Sequence, residues 1–155
     1  MNVPWFDAPA RRRALVLEAR AWIGTPFAAH GTIRGGGCSC ETLPRALYQA
    51  VGFLPQGLAL PAVTIQYFRA ARGDGAMIPF LDARPDFQSV SPLRLSLACG
   101  DLLGFRAGRV VHHLGILLDL ERFIHCLDPA GVALNSLLDA TWGHRLERVW
   151  RPVET

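Results

Sequence analysis

Residues 110–127 read VVHHLGILLDLERFIHCL, and this stretch decides the fold class. Apolar residues dominate 110–118 and 123–127, and their spacing predicts two strands. The polar run DLER at 119–122 lies between them and predicts the loop of a hairpin.

The hairpin predicts where its histidines lie. Because side chains alternate along a strand, His113 and Gly115 share one face and His112 lies on the other. If the loop between the paired strands has three residues, Gly115 is opposite His125. His113 is then diagonal to His125, within reach of long side chains. We therefore expect the His113 and His125 rings to meet above Gly115, which leaves room for them.

Apolar segments around the hairpin extend it into a sheet. A strand is predicted at Leu102–Phe105, after a turn at Gly100–Asp101 in which Asp101 is a turn residue and not a catalytic acid. Shorter strands are predicted at 132–134 and 148–151.

Helical spacing dominates the earlier part of the chain. A first helix is predicted over 8–23, with Asp7 as its N-cap, Pro9 in its first turn and Gly24 after its end. The glycine- and proline-rich segment 25–37 predicts a loop.

Two more helices are predicted before the sheet, at Cys40–Val51 and Thr64–Arg72. A looser stretch with three prolines follows between residues 79 and 92. Helices followed by an antiparallel meander predict one α+β domain over residues 1–155.

The basic residues exclude several chemistries. The chain has 16 basic residues, and all of them are arginine. Without lysine there is no Walker-type phosphate loop, no protein-kinase lysine and no Schiff base to a carbonyl or pyridoxal cofactor. A net charge of +3, with 19% charged residues, does not indicate a general nucleic-acid-binding surface.

No apolar run approaches the roughly 20 residues that a membrane span needs, and residues 1–7 lack the pattern of a signal peptide. We expect a protein made in the cytoplasm without a secretory signal. The four cysteines are then expected to be reduced and available for catalysis or metal binding: Cys38, Cys40, Cys99 and Cys126.

Cys40 has the position of a nucleophile. A thiolate at a helix N-terminus is stabilised by the helix dipole and by unpaired backbone N–H groups. A cysteine nucleophile also needs an imidazole nearby and a third polar group that orients the imidazole. His113 and His125 offer these groups.

These residues resemble the NlpC/P60 cell-wall cysteine peptidases, in particular their short phage-tail and gene-transfer-agent members. The resemblance covers about residues 8–151, with five landmarks in the family's order: Trp22–Phe27, Gly37–Cys40 leading into Leu43–Gly52, Gly100–Leu102, His113–Ile116 and Phe123–His125. It implies a papain-like fold, with N-terminal helices packed on a C-terminal antiparallel sheet. It also implies Cys40 as nucleophile, His113 as general base and acid, and His125 as the orienting third member.

The resemblance further implies a function. The reaction would be hydrolysis of an amide bond in the stem peptide of peptidoglycan, often the bond after γ-linked D-glutamate. No cofactor or metal is required. The partners would be the stem peptide and phage tail-tip proteins, and the protein would be carried in the virion tail to the bacterial cell wall.

Residues beside the landmarks depart from the family pattern. Ser39, Glu41 and Thr42 replace the aspartate and small residues that usually flank the cysteine, and Phe27 replaces a tyrosine. Phe27, Ser39 and Glu41 are therefore candidate substrate-binding positions with altered chemistry, and Glu41 beside the thiol would oppose thiolate formation. The alternative function is a structural tail-tip protein that keeps the fold with little or no activity.

Other interpretations of the same residues remain open. Cys38 is a rival nucleophile, although only Cys40 keeps the family's register, and a Cys38–Cys40 disulfide would be strained. Related permuted acyltransferases and lipid hydrolases are disfavoured, because they place histidine before cysteine. A zinc site is a further alternative, with ligands drawn from Cys38, Cys40, Cys126, His112, His113 and His125.

The remaining polar and aromatic positions favour structural roles. His30 is expected at the surface, and Trp142 and Trp150 in the core. The last arginines (Arg145, Arg148 and Arg151) are expected on a solvated face or in contact with carboxylates.

Overall fold

A computed structural model describes residues 2–60 and 76–155. The helix predicted at 64–72 lies outside these residues. The helices are α1 (Pro9–Trp22), α2 (Thr42–Ala50), α3 (Met77–Asp82) and α4 (Ala140–Gly143). The strands are β1 (Thr32–Ile33), β2 (Gly37–Cys38), β3 (Phe87–Val90), β4 (Leu102–Ala107), β5 (Val110–Leu117), β6 (Arg122–Leu127), β7 (Gly131–Ser136) and β8 (Leu146–Pro152).

An antiparallel sheet of six strands forms the C-terminal part, in the order β3-β8-β4-β5-β6-β7. The α+β prediction is confirmed, as are the strands predicted on either side of the hairpin. In the hairpin itself, Gly115 pairs with His125 as expected.

A β-bulge interrupts the pairing of β4 with β5. Phe105 pairs with His113, while the next pair is Arg106 with Val111, so His112 is the extra residue on β5. Bulges redirect side chains next to functional sites. Here Val111 and His113 pair with adjacent residues of β4, so they lie on opposite faces of the sheet.

The two faces of the sheet contact different apolar clusters. On one face, alternate residues of β4, β5 and β6 pack with α1 and α2 into the larger cluster. On the other face they form a smaller cluster, which consists of Leu97, Leu103, Phe105, Leu117, Phe123, Leu137, Trp142 and Val149. Trp142 and Trp150 are both buried, which confirms that they are core residues.

The start of α1 differs from the prediction. Residues Trp5–Asp7 form a 3-10 turn, so Ala8 is the N-cap and Asp7 does not cap the helix. The prediction of Asp7 as N-cap is therefore wrong. Pro9 takes the first helical position, where its missing N–H has no cost.

Two segments are more ordered than their composition predicts. The loop predicted at 25–37 contains β1 and the start of β2, a short hairpin. The looser stretch between 79 and 92 contains most of α3, where Pro79 fits the first turn, and the edge strand β3. Among the described residues, no helix is both long and apolar enough to cross a membrane.

Candidate active site

Ser39 and Thr42 hold the N-terminus of α2 in place. The backbone N–H of Thr42 donates to Ser39 Oγ at 3.2 Å, and the N–H of Ser39 donates to Thr42 Oγ1 at 2.8 Å. The Thr42 hydroxyl in turn donates to the Gly31 carbonyl at 2.6 Å. This reciprocal arrangement resembles a capping box and fixes the two residues between them, Cys40 and Glu41.

Cys40 contacts strand β5 at the bulge. Its sulfur lies 3.9 Å from the main-chain oxygen of His112, the residue before His113. Burial raises the pKa of the Cys40 thiol to about 12, and the Glu41 carboxylate acts in the same direction, against hydrogen bonds from the backbone N–H groups of Leu114 and Cys40. The thiol is therefore protonated at neutral pH in this conformation.

His113, His125 and Asn135 form a hydrogen-bonded chain across β5, β6 and β7. His113 Nε2 lies 2.8 Å from His125 Nδ1, and His125 Nε2 lies 2.7 Å from Asn135 Oδ1. Because the Asn135 carbonyl can only accept, it holds the proton of neutral His125 on Nε2. His125 Nδ1 then accepts from His113 Nε2, which leaves His113 Nδ1 as the basic nitrogen of that ring.

The surroundings keep both histidines neutral. The rings of His113 and His125 pack against Trp142, with centroids 5.4 and 4.7 Å away. Burial lowers the pKa of His113 to about 3, with His125 adding to the effect, and burial also lowers the pKa of His125. Both imidazoles are therefore neutral at pH 7, and the low pKa makes the His113 ring a weak base in this conformation.

Glu41 and His112 form a second polar group beside Cys40. His112 Nε2 lies 3.3 Å from Glu41 Oε1, with both side chains partly exposed. Burial raises the pKa of Glu41, which His30 opposes, and burial lowers the pKa of His112. One ligand atom from each of Cys40, Glu41 and His112 lies within 4.8 Å of the other two.

The other cysteines are not members of the Cys40–Glu41–His112 cluster. Cys126 Sγ donates to the Cys38 carbonyl at 3.2 Å, and both residues are buried. The Cys126 side chain raises the pKa of Cys38, and burial adds to the effect. Burial raises the pKa of Cys99 to about 11. Cys38 is 0% exposed, while Cys40 is partly exposed, so Cys38 is the less accessible of the two thiols to a substrate.

The structure brings only part of the predicted site into direct contact. His113 meets His125, while the Cys40 sulfur lies against the main chain one residue before His113. Within the described part of the chain, no hydrogen bond joins that sulfur to the His113 ring.

The candidate substrate-binding residues have structural contacts of their own. The Ser39 hydroxyl accepts from the backbone at the start of α2. Phe27 lies beside Cys38 in a short parallel bridge. His30 is exposed, as predicted.

Asn135 was missed by the sequence analysis. It is diagonal to His125, which pairs with Ala133. The signal in the sequence is the polar pair Asn135 and Ser136 in the otherwise apolar run 132–137, but the residue that pairs with His125 depends on the length of the turn after β6.

Comparison with known proteins shows which fold this is. No protein-family model matches the chain. An NLP/P60-family protein similar to a lipoprotein, from Staphylococcus aureus, superposes with a TM-score of 0.60 and 20% identity, over 98% of this chain and 44% of that one. The NlpC/P60 domain of the peptidoglycan hydrolase SagA superposes with a TM-score of 0.56 and 22% identity, over 93% and 98% of the two chains. The chain has the NlpC/P60 fold.

A sequence relative gives a partial match. The murein DD-endopeptidase MepS/murein LD-carboxypeptidase of Escherichia coli K12 is 34% identical over 58 residues, and the same match is found in strains O6:H1 and O157:H7. The matched segment is 37% of this chain and spans only 31% of the length of that protein. The NlpC/P60 fold that the sequence landmarks imply is thus confirmed by the structural comparison.

Proposed function

We propose that the protein is a thiol peptidase that hydrolyses an amide bond in peptidoglycan stem peptides, with Cys40 as its nucleophile. The observation that carries this proposal is the chain His113–His125–Asn135, which leaves His113 Nδ1 basic on the strand that Cys40 contacts. The names of two similar proteins, a murein endopeptidase and a peptidoglycan hydrolase, support the substrate class.

The proposed reaction has two half-reactions. His113 takes the thiol proton as Cys40 Sγ attacks the amide carbon, and the backbone N–H of Cys40 donates to the resulting oxyanion. The intermediate collapses to a thioester, and the amine leaves with the proton from His113. Water, deprotonated by His113, then attacks the thioester, and the acid product leaves as Cys40 recovers its proton.

Digestion of purified cell-wall sacculi tests this function. Wild-type protein and the control Cys99→Ser are expected to release muropeptides whose masses show cleavage of one stem-peptide amide, while Cys40→Ala releases none. Release by Cys40→Ala equal to that of the wild type would overturn the assignment of the nucleophile.

A comparison of the adjacent histidines identifies the base. We expect His113→Ala to lose the ~10²–10⁴-fold that general acid–base catalysis contributes, and His112→Ala to keep most of the activity. A larger loss of activity in His112→Ala than in His113→Ala would assign the base to His112, which lies beside Glu41.

A second candidate function is a structural role with little activity. The raised pKa of the Cys40 thiol, caused by burial and by Glu41, favours it. Sacculi left intact by a folded wild-type protein under all conditions from pH 6 to 10 would support this alternative.

We also propose that the protein acts as a component of a phage tail or of a related particle, on the bacterial cell wall. The resemblance of the sequence landmarks to the short phage-tail members supports this location. Mass spectrometry of purified particles is expected to detect the chain at a fixed ratio to tail proteins. Its absence from particles would refute this location without affecting the peptidase assignment.

A further inference from the structure

We propose that Cys40, Glu41 and His112 form a binding site for a divalent cation of borderline softness, Zn²⁺ above all. Their ligand atoms lie within 4.8 Å of one another, and all three residues are partly buried. Metal binding at this site does not depend on the proposed peptidase activity; only its inhibitory consequence does.

The donor set fits zinc. Zinc takes thiolate sulfur, imidazole nitrogen and carboxylate oxygen in tetrahedral sites, with bonds of about 2.0–2.3 Å. Nitrogen and oxygen donors on one tetrahedral zinc lie about 3.3 Å apart by this geometry, and His112 Nε2 is 3.3 Å from Glu41 Oε1. Small rotations of the Cys40 and Glu41 side chains would complete three ligands, with water in the fourth position.

The charges also favour a cation. Without a metal, Cys40 stays a thiol, because a thiolate would be repelled by the Glu41 carboxylate beside it in a partly buried place, and His112 offers a neutral nitrogen. A divalent cation balances the negative charges of the thiolate and the carboxylate. It thereby favours the deprotonated form of the thiol that it binds. Binding releases the thiol proton to solvent, because only the thiolate is a ligand.

The fold positions the three residues independently of the histidine chain. The capping contacts of Ser39 and Thr42 fix Cys40 and Glu41, and the bulge in β5 places His112 beside them. His113 and His125 contact Trp142 and Phe123 in the smaller cluster instead. Of the ligands considered from sequence, the structure thus selects Cys40 and His112, and it adds Glu41.

The consequence for activity is inhibition. A metal on Cys40 Sγ occupies the electron pair that would attack the amide carbon. If the protein is a peptidase, Zn²⁺ should inhibit it, and a chelator should restore the activity.

Co²⁺ and Zn²⁺ titrations of the folded protein test the site without substrate. We expect one ion per chain, with a thiolate-to-cobalt charge-transfer band in the wild type and in the controls Cys38→Ser and Cys99→Ser, and no band in Cys40→Ser. Glu41→Gln and His112→Ala should each weaken Zn²⁺ binding by more than the ~10–100-fold that loss of an outer-shell partner costs. Far-UV circular dichroism confirms that each variant is folded.

Two results would overturn the proposal. One is Zn²⁺ binding of equal affinity in wild type and Cys40→Ser, and the other is a cobalt band that depends on Cys38 in place of Cys40. If sacculi are digested, His112→Ala should stay active in Zn²⁺ concentrations that inhibit the wild type. A wild type that stays inactive after chelation of all metal, yet binds added zinc through Cys40, would refute the peptidase and leave the metal site standing.

Discussion

Asn135 determines the tautomers of His113 and His125. Its carbonyl oxygen accepts from His125, and this fixes which nitrogen of each ring carries a proton. Sequence spacing predicted the meeting of His113 and His125, because strand alternation and a short hairpin determine it. Spacing could not predict Asn135, since the turn between β6 and β7 had no clear length in the sequence.

Replacing Asn135 with leucine tests this positioning role. We expect kcat to fall by about tenfold, less than the ~10²–10⁴-fold that loss of the base itself costs, with a smaller change in KM. The reason is that His125 loses its fixed tautomer, so His113 presents its basic nitrogen less often. The pH profile of kcat should change as well; an unchanged profile with a lower melting temperature would indicate a purely structural role.

Glu41 is a second single residue with a large effect, because it controls the reactivity of the Cys40 thiol. Its carboxylate raises the pKa of Cys40, so Glu41→Gln should lower that pKa and leave more thiolate at a given pH. Alkylation of Cys40 by iodoacetamide, followed by mass spectrometry from pH 7 to 10, measures the change. Glu147→Gln, on the exposed part of β8, is the matched control and should alkylate like the wild type.

Helix α2 connects sequence to site at the scale of elements. Its apolar spacing predicted a helix from Cys40 to Val51, with Cys40 at its N-terminus. The structure starts the helix two residues later, at Thr42, so Cys40 lies just before it. The hydroxyls of Ser39 and Thr42 fix this end through contacts three residues apart, a local pattern. The further contact of Thr42 with the Gly31 carbonyl, in the preceding loop, is one that no local pattern specifies. The helix α3 and the edge strand β3 were missed because prolines and a short, half-exposed strand give weak periodicity.

Thr42→Val should destabilise the protein without changing its shape greatly. The substitution leaves the Ser39 N–H and the Gly31 carbonyl without their partner, which costs about 1–3 kcal/mol of unfolding free energy. Urea unfolding measures this cost. The rate of Cys40 alkylation should also differ from that of the wild type, because the contacts that position this residue are lost. Thr141→Val, whose side chain is exposed in α4, should unfold like the wild type.

At the scale of the whole molecule, buried charges join the sheet to the turn that precedes it. Asp101 is fully buried and accepts from Arg151 Nε and Nη2, both at 2.8 Å, and from the Ala98 N–H. Arg148 Nη2 donates to both carboxylate oxygens of Asp82 on α3, at 2.8 and 2.9 Å, in a pair that is partly exposed. The expectation that the last arginines contact carboxylates is confirmed for these two, and the carboxylates belong to the chain itself.

Arg151→Met should therefore be strongly destabilising. It leaves the Asp101 carboxylate buried without its cation, and breaking such a pair costs about 3–5 kcal/mol. Thermal unfolding at neutral pH measures the loss, with Arg122→Met on the exposed Asp119 pair as a control expected to change stability by about 1 kcal/mol or less. Equal melting temperatures for the two variants would show that the Asp101 contact does not stabilise the fold.

The central claim, that Cys40 is the nucleophile of an acyl transfer, is tested most directly by trapping the thioester. Wild-type protein is mixed with an activated stem-peptide ester and quenched in acid, and cleavage after arginine yields residues 35–45, which contain both Cys38 and Cys40. Tandem mass spectrometry of this fragment is predicted to find the acyl group on Cys40, and none in Cys40→Ala. An acyl group on Cys38, or no adduct while product forms, would contradict the claim.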